Sequence, residues 1–186
     1  MKPFRDVAPV RTYSGHKDNY GDYKPFLAED FHHKCGYTHC SDVWFGGQRC
    51  FHIDHRIPWK KHTADNPSLK TDYSNLVYSC SYVNIQKSDD ESPNYLDPCD
   101  TDYNKHFHRD DLGNIIPDTA EAKYMYSHMK LGMSRYAIVW MLDQLQERID
   151  KLLELNERVS NQEIKDLIVD FTAEYRKYEK YLVKNQ

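Results

Sequence analysis

The residues in this sequence best suited to chemistry are an adjacent pair, Asp54 and His55, followed by Asn75, then Asn84 nine positions later, then Lys87. Hydrolysis of a phosphodiester needs an activated water, a neutralised non-bridging oxygen and a stabilised leaving oxygen, which one imidazole and one hard cation can supply. The reference pKa of histidine lies near 6.5, so a useful fraction of His55 is neutral at pH 7 and can accept the proton of a water as general base. Asp54 offers an anionic oxygen and Asn84 a neutral amide oxygen, and together they can hold one divalent ion. A helix over residues 81–90 would put Asn84, Lys87 and Ser88 on one face, with Lys87 in reach of a phosphate. Arg56, Lys60 and Lys61, beside Trp59, form the best local phosphate patch, against the plainer reading of a solvated loop.

Several elements must position these groups. The stretch Cys50–His55 is short, β-branched and aromatic, and Pro58 follows, which predicts a strand ending at His55. Its pleat sends Asp54 to the face opposite His55. Residues 60–74 are polar and read as a loop, Asn75–Tyr78 as a second strand, and Ser81 as a helix start. Upstream, residues 1–23 read as an extended lead-in broken by Pro3, Pro9, Gly15 and Gly21, and a short helix from Lys24 to Lys34 delivers the chain to Cys35. Downstream, residues 106–117 read as two short strands around a turn at Asp111–Asn114. The last third is helical. Tyr124, Met125 and Met129 suit one helix; Ile138, Leu142, Leu145, Ile149, Leu152 and Val159 mark a second; Ile164, Ile168, Phe171, Tyr175, Tyr178 and Leu182 mark a third, with a capping box at Ser160–Glu163. The expected organisation is α+β: a lead-in over 1–23, a ββα unit with its hairpin over 24–117 and a helical region over 118–186.

Composition narrows the function classes. The chain has 186 residues, 39% hydrophobic and 29% charged, which fits a folded protein with a modest core. No apolar run is long enough to cross a bilayer and the first residues do not resemble a signal peptide, so a cytoplasmic location without membrane association is expected. Five cysteines without an export signal point to metal binding or buried thiols more than to a disulfide framework. The net charge of −4 is unfavourable for holding polyanionic nucleic acid. Residues 31–91 carry seven Lys and Arg against seven Asp and Glu, so this stretch is no basic clamp.

In order and spacing, Ile53-Asp54-His55-Arg56-Ile57-Pro58, Asn75-Leu76 and Asn84-Ile85-Gln86-Lys87 resemble the HNH endonuclease motif, over about residues 31–91. The resemblance implies a ββα-metal fold and nucleic-acid cleavage with Mg²⁺ or Mn²⁺. It gives Asn75 the role of bracing the loop that carries His55, and puts His52 on or beside the metal. Many HNH proteins also brace this core with zinc on two Cys-x-x-Cys pairs. Here the pairs read Cys35-Gly36-Tyr37-Thr38 and Cys80-Ser81-Tyr82-Val83, each lacking its second cysteine. The favoured reading is a degenerate knuckle in which Cys35 and Cys80 pack as small apolar groups. The competing one recruits His39, Cys40 or Cys50 to zinc. The segments Asp30–Tyr37, Asp72–Leu76 and Leu96–Tyr103 further resemble the HNH subunits of Septu-type bacterial anti-phage systems, which act with an ABC-type ATPase. That resemblance implies an ATPase partner supplying much of the grip on nucleic acid, with the C-terminal helices as docking surface or, alternatively, an ordinary packed hairpin. The rival to an enzyme is a non-catalytic interaction subunit that keeps the HNH scaffold.

Overall fold

A computed structural model describes residues 1–159 and 161–184. Its elements run β1 (Lys2–Pro3), α1 (Lys24–Asp30), β2 (Phe51–His55), β3 (Leu76–Cys80), α2 (Ser81–Lys87), β4 (Phe107–Arg109), β5 (Ile115–Pro117), α3 (Ala120–His128), α4 (Ser134–Arg158) and α5 (Gln162–Lys184). The architecture is α+β, with a β2–β3 antiparallel pair and a separate sheet ordered β1-β4-β5.

The β2–β3 pair with α2 forms the centre. His55 lies opposite Leu76 and Phe51 opposite Cys80. Every residue of β3 is buried, which a two-sided apolar environment imposes on Leu76, Val77 and Tyr78. The outward-facing groups of β3 are taken up by other segments. Arg11 Nε donates to the Leu76 carbonyl at 3.1 Å. The Gly36 amide donates to the Tyr78 carbonyl at 2.8 Å, and the Cys80 amide to Cys35 Sγ at 3.3 Å.

Helix α1 is shorter than its apolar spacing predicts. His32 and His33 adopt φ of 53° and 55°, a left-handed pair that ends the helix and turns the chain toward Cys35. The loop over 60–74 is paved with 3₁₀ turns at Trp59–His62, Pro67–Lys70 and Tyr73–Asn75. The hairpin forms where the turn residues indicate, and Gly113 supplies φ of +83°.

Residues 1–23, expected as an extended lead-in, are packed against the body. Lys2–Pro3 pairs with β4, Phe4 is fully buried in the main core, and Arg5 donates to the Thr101 carbonyl at 2.7 Å. Two prolines and two glycines forbid a regular element but not a packed one, and scattered anchors hold this strap down.

Helix α4 buries nine residues between Tyr136 and Ile149, while its last turns, with Leu153 and Leu155 exposed, run clear of the body alongside α5. The 4/3 stripes form the seam of this antiparallel hairpin, with Val159 exposed at its tip. Ser160, the first residue of the expected capping box, lies outside the described residues. Asn161 supplies the cap there, its Oδ1 accepting from the Glu163 amide at 2.7 Å. No helix among the described residues is long and apolar enough to cross a membrane.

Candidate active site

The end of β2 and the middle of α2 open on a common cleft of about 290 Å³, lined among others by Tyr20, Asp54, His55, Trp59, Lys60, Asn84, Ser88 and Asp89. Asp54, His55 and Asn84 are therefore brought together.

The imidazole of His55 is fixed by its Nε2, 3.0 Å from the Lys70 carbonyl. A carbonyl only accepts, so Nε2 carries the proton of the neutral ring and Nδ1 keeps its lone pair. Burial holds the ring's pKa below the ordinary histidine value, and the charges of Lys87 and Lys70 act the same way against the Lys70 carbonyl. The ring is thus neutral at pH 7, with one basic nitrogen. Its flanks are aromatic: Tyr20 meets it edge to face at 4.8 Å and Trp59 lies 6.3 Å away.

Asn75 is buried behind this loop and satisfies it on three sides. Its Oδ1 accepts from the Ile57 amide at 2.8 Å, and its Nδ2 donates to the carbonyls of Ile57 and Leu69 at 2.9 and 3.0 Å. Leu69 and Lys70 belong to the turn whose carbonyl fixes His55, so one amide side chain ties the backbone on both sides of the imidazole.

Asp54 is buried, with Tyr37 Oη donating to Oδ2 at 2.5 Å and Lys87 Nζ to Oδ1 at 3.1 Å. Burial pushes its carboxyl above the ordinary range; the Lys87 ammonium and the Tyr37 hydroxyl oppose that. The side chain of Lys87 is wholly buried: Nζ also donates to the His55 carbonyl at 2.8 Å and stands over the Tyr95 ring. Lys87 thus departs from the expected phosphate contact. Although it shares a helix face with Asn84, its side chain runs beneath the cleft to Asp54 and the His55 carbonyl, because a buried ammonium needs such partners.

Asn84 Nδ2 lies 3.2 Å from His52 Nδ1, which turns the amide oxygen away from the imidazole. Burial and nearby Lys24 hold His52 below its ordinary pKa, so the ring is neutral and its Nδ1 can accept. His52 therefore orients Asn84. The three basic residues expected at phosphate diverge. Lys60 lines the cleft; Lys61 donates to the Asp89 carbonyl at 2.5 Å; Arg56 turns to Asp97, 3.2 Å away, which Arg11 also grips through both oxygens.

The donor chemistry fits a hard divalent cation. Each Asp54 oxygen accepts one hydrogen bond and retains a second lone pair, and Asn84 adds a neutral oxygen at the same cleft, leaving other positions to water and phosphate. It does not fit zinc at the cysteines. Cys35 and Cys80 are neighbours, but Thr38 and Val83 stand at the other two positions, and Cys40 Sγ is turned to the carbonyls of Thr38 and Tyr136. Among the described residues, no three His, Cys, Asp or Glu side chains converge as a metal-binding group.

Sequence reasoning missed Tyr37, Tyr20 and the Lys70 carbonyl. The last acts through the backbone, so no residue type announces it. Tyr37 sits in the quoted Cys35-Gly36-Tyr37 run but signals nothing until the fold puts its hydroxyl on Asp54.

The sequence model of the HNH endonuclease family matches residues 34–90. The chain therefore carries an HNH endonuclease domain, which supports nuclease function on a nucleic-acid substrate; HNH nucleases generally use a divalent metal. No curated protein and no solved structure matches the chain.

Proposed function

We propose that the chain is a metal-dependent endonuclease hydrolysing phosphodiester bonds at the cleft between β2 and α2. The observation that carries this reading is the single cleft shared by Asp54, His55 and Asn84 within the HNH domain. In it, His55 Nδ1 takes the proton of the attacking water. Asp54 and Asn84 would hold Mg²⁺ or Mn²⁺, which would supply charge neutralisation at the phosphate. Asn75 positions His55 through the backbone of Ile57 and Leu69. Lys87 acts on Asp54 and on the His55 carbonyl, not on substrate. Lys60 is the cation available to a phosphate at the cleft. The cysteine pair serves packing, without structural zinc.

We further propose that this nuclease is the effector subunit of an anti-phage complex with an ABC-type ATPase. The segments resembling Septu-type subunits support it, and so does the balanced charge of the HNH region, which leaves much of the nucleic-acid grip to a partner. The helical region from residue 118 would dock that partner. Removing the chain after Val159 should abolish pull-down of an ATPase encoded beside it, and undiminished association would remove that surface from the proposal.

The nuclease reading is tested with plasmid DNA and with RNA under Mg²⁺ or Mn²⁺. His55→Ala should lower cleavage by about 10²–10⁴-fold, the contribution of a general base. Equal cleavage by both proteins would take the enzyme assignment away from this cleft.

A further inference from the structure

The aromatic walls of the cleft describe its substrate more closely. Tyr20 and Trp59 both line it, with ring centroids 4.8 and 6.3 Å from that of His55. Their supports differ. Tyr20 packs against the hydrophobic core, whereas Trp59 is not part of it and has Lys70 Nζ 5.0 Å from its ring centroid. A large indole outside the core, half-buried at the cleft and carrying a cation, has little structural purpose of its own.

The charges around it are sparse. Of the cations near His55, Lys61 is held by Asp89 and Arg56 by Asp97, and Asp89 itself lines the cleft. Duplex binding rests on many phosphate contacts, whereas among the described residues Lys60 is the one Lys or Arg lining the cleft. Binding of unpaired strands draws instead on bases stacked against aromatic rings, at about 1–3 kcal/mol per base, and every base has a face to offer. The base of a paired, stacked nucleotide cannot reach either ring.

We propose that the cleft takes an unpaired nucleotide, its base stacked on Trp59 beside Tyr20, so that the substrate is single-stranded or locally unpaired nucleic acid. The proposal rests on the nuclease reading for the identity of the reacting group, but its binding claim stands apart from cleavage. Trp59 sets the substrate class and Lys60 meets the adjoining phosphate.

The test is fluorescence anisotropy in EDTA, which stops metal-dependent cleavage, with one labelled sequence as single-stranded DNA, as single-stranded RNA and as each blunt duplex. Wild type should prefer single strands by at least about tenfold; the two strand types separate a DNA from an RNA substrate. Trp59→Ala should weaken single-strand binding by about 5- to 150-fold, the equivalent of one stacked base. Trp59→Phe should recover most of it, which mere loss of structure would not allow. The log–log salt slope should be shallow, about −0.7, the value for the one single-strand phosphate contact at Lys60. Duplex binding as tight as single-strand binding, equal losses in both Trp59 variants, or no measurable binding would overturn the proposal. Cleavage of the same oligonucleotides in Mn²⁺ separates the two readings. Aromatic-dependent single-strand binding without cleavage would sink the nuclease alone, and equal cleavage of paired and unpaired strands, unaffected by Trp59→Ala, would sink only the substrate assignment.

Discussion

Replacing Lys87 by Met tests the arrangement beneath the cleft most directly. The substitution keeps the length of the aliphatic stem and removes a wholly buried ammonium that donates to Asp54 Oδ1 and to the His55 carbonyl. Breaking one side of a buried ion pair costs about 3–5 kcal/mol, because the other charge stays desolvated without its partner. For a chain of this size each kcal/mol lowers the melting temperature by about 2–4 °C, so a fall of about 6–20 °C is expected. The penalty must also depend on pH. Burial already pushes the Asp54 carboxyl upward, and without the ammonium it rises further. An acid whose folded pKa exceeds its unfolded value of about 3.9 gains stability as pH falls through the folded pKa. The gap between variant and wild type should therefore be widest near pH 8 and narrow toward pH 5. In Asp54→Asn with Lys87→Met the buried charge is gone, and part of the loss should return. Thermal melts of the four proteins at both pH values complete the cycle. A Lys87→Met melt within about 2 °C of wild type at pH 8 would refute the argument, since a partnerless carboxylate cannot be buried so cheaply.

Three further outcomes are expected. Because the pKa of His55 is held down by burial, the acid limb of the pH–rate profile should have its midpoint below about 6.5, and a midpoint above that would exclude His55 as the free-enzyme base. Asn75→Ala removes three hydrogen bonds to Ile57 and Leu69, at about 0.5–1.5 kcal/mol each, and should lower both the melting temperature and kcat while leaving KM near wild type. A melt and kcat equal to wild type would show that the loop holds His55 without it. Elemental analysis after chelation should find no stoichiometric zinc, whereas one zinc per chain would mean that Cys35 and Cys80 find further ligands.

The parts of this protein legible in its sequence are those governed by local pattern. The short β-branched and aromatic stretch Cys50–His55, the apolar run after Asn75 and the apolar stripes of α4 and α5 give β2, β3 and the helical hairpin close to their observed limits. The motif spacing likewise brings Asp54, His55 and Asn84 to one cleft. What was not legible depends on contacts distant in sequence. Lys87 looks like a solvent-facing cation until Asp54 and Tyr95 close around it. Arg56 looks like a phosphate contact until Asp97 arrives from over forty residues away. The packing of the extended lead-in is not legible because its anchors, Phe4, Arg5 and Arg11, follow no period.

A two-stranded ribbon leaves main-chain groups along its open side, an invitation for a strand from another molecule to add on. Here β3 is the vulnerable side, and the donations from Arg11 to Leu76 and from Gly36 to Tyr78 have already taken its carbonyls. The strap and the Gly36 turn thereby cover that side of the β2–β3 ribbon, and an Arg11→Ala protein would be expected to associate through β3 at concentrations where the wild type stays dispersed.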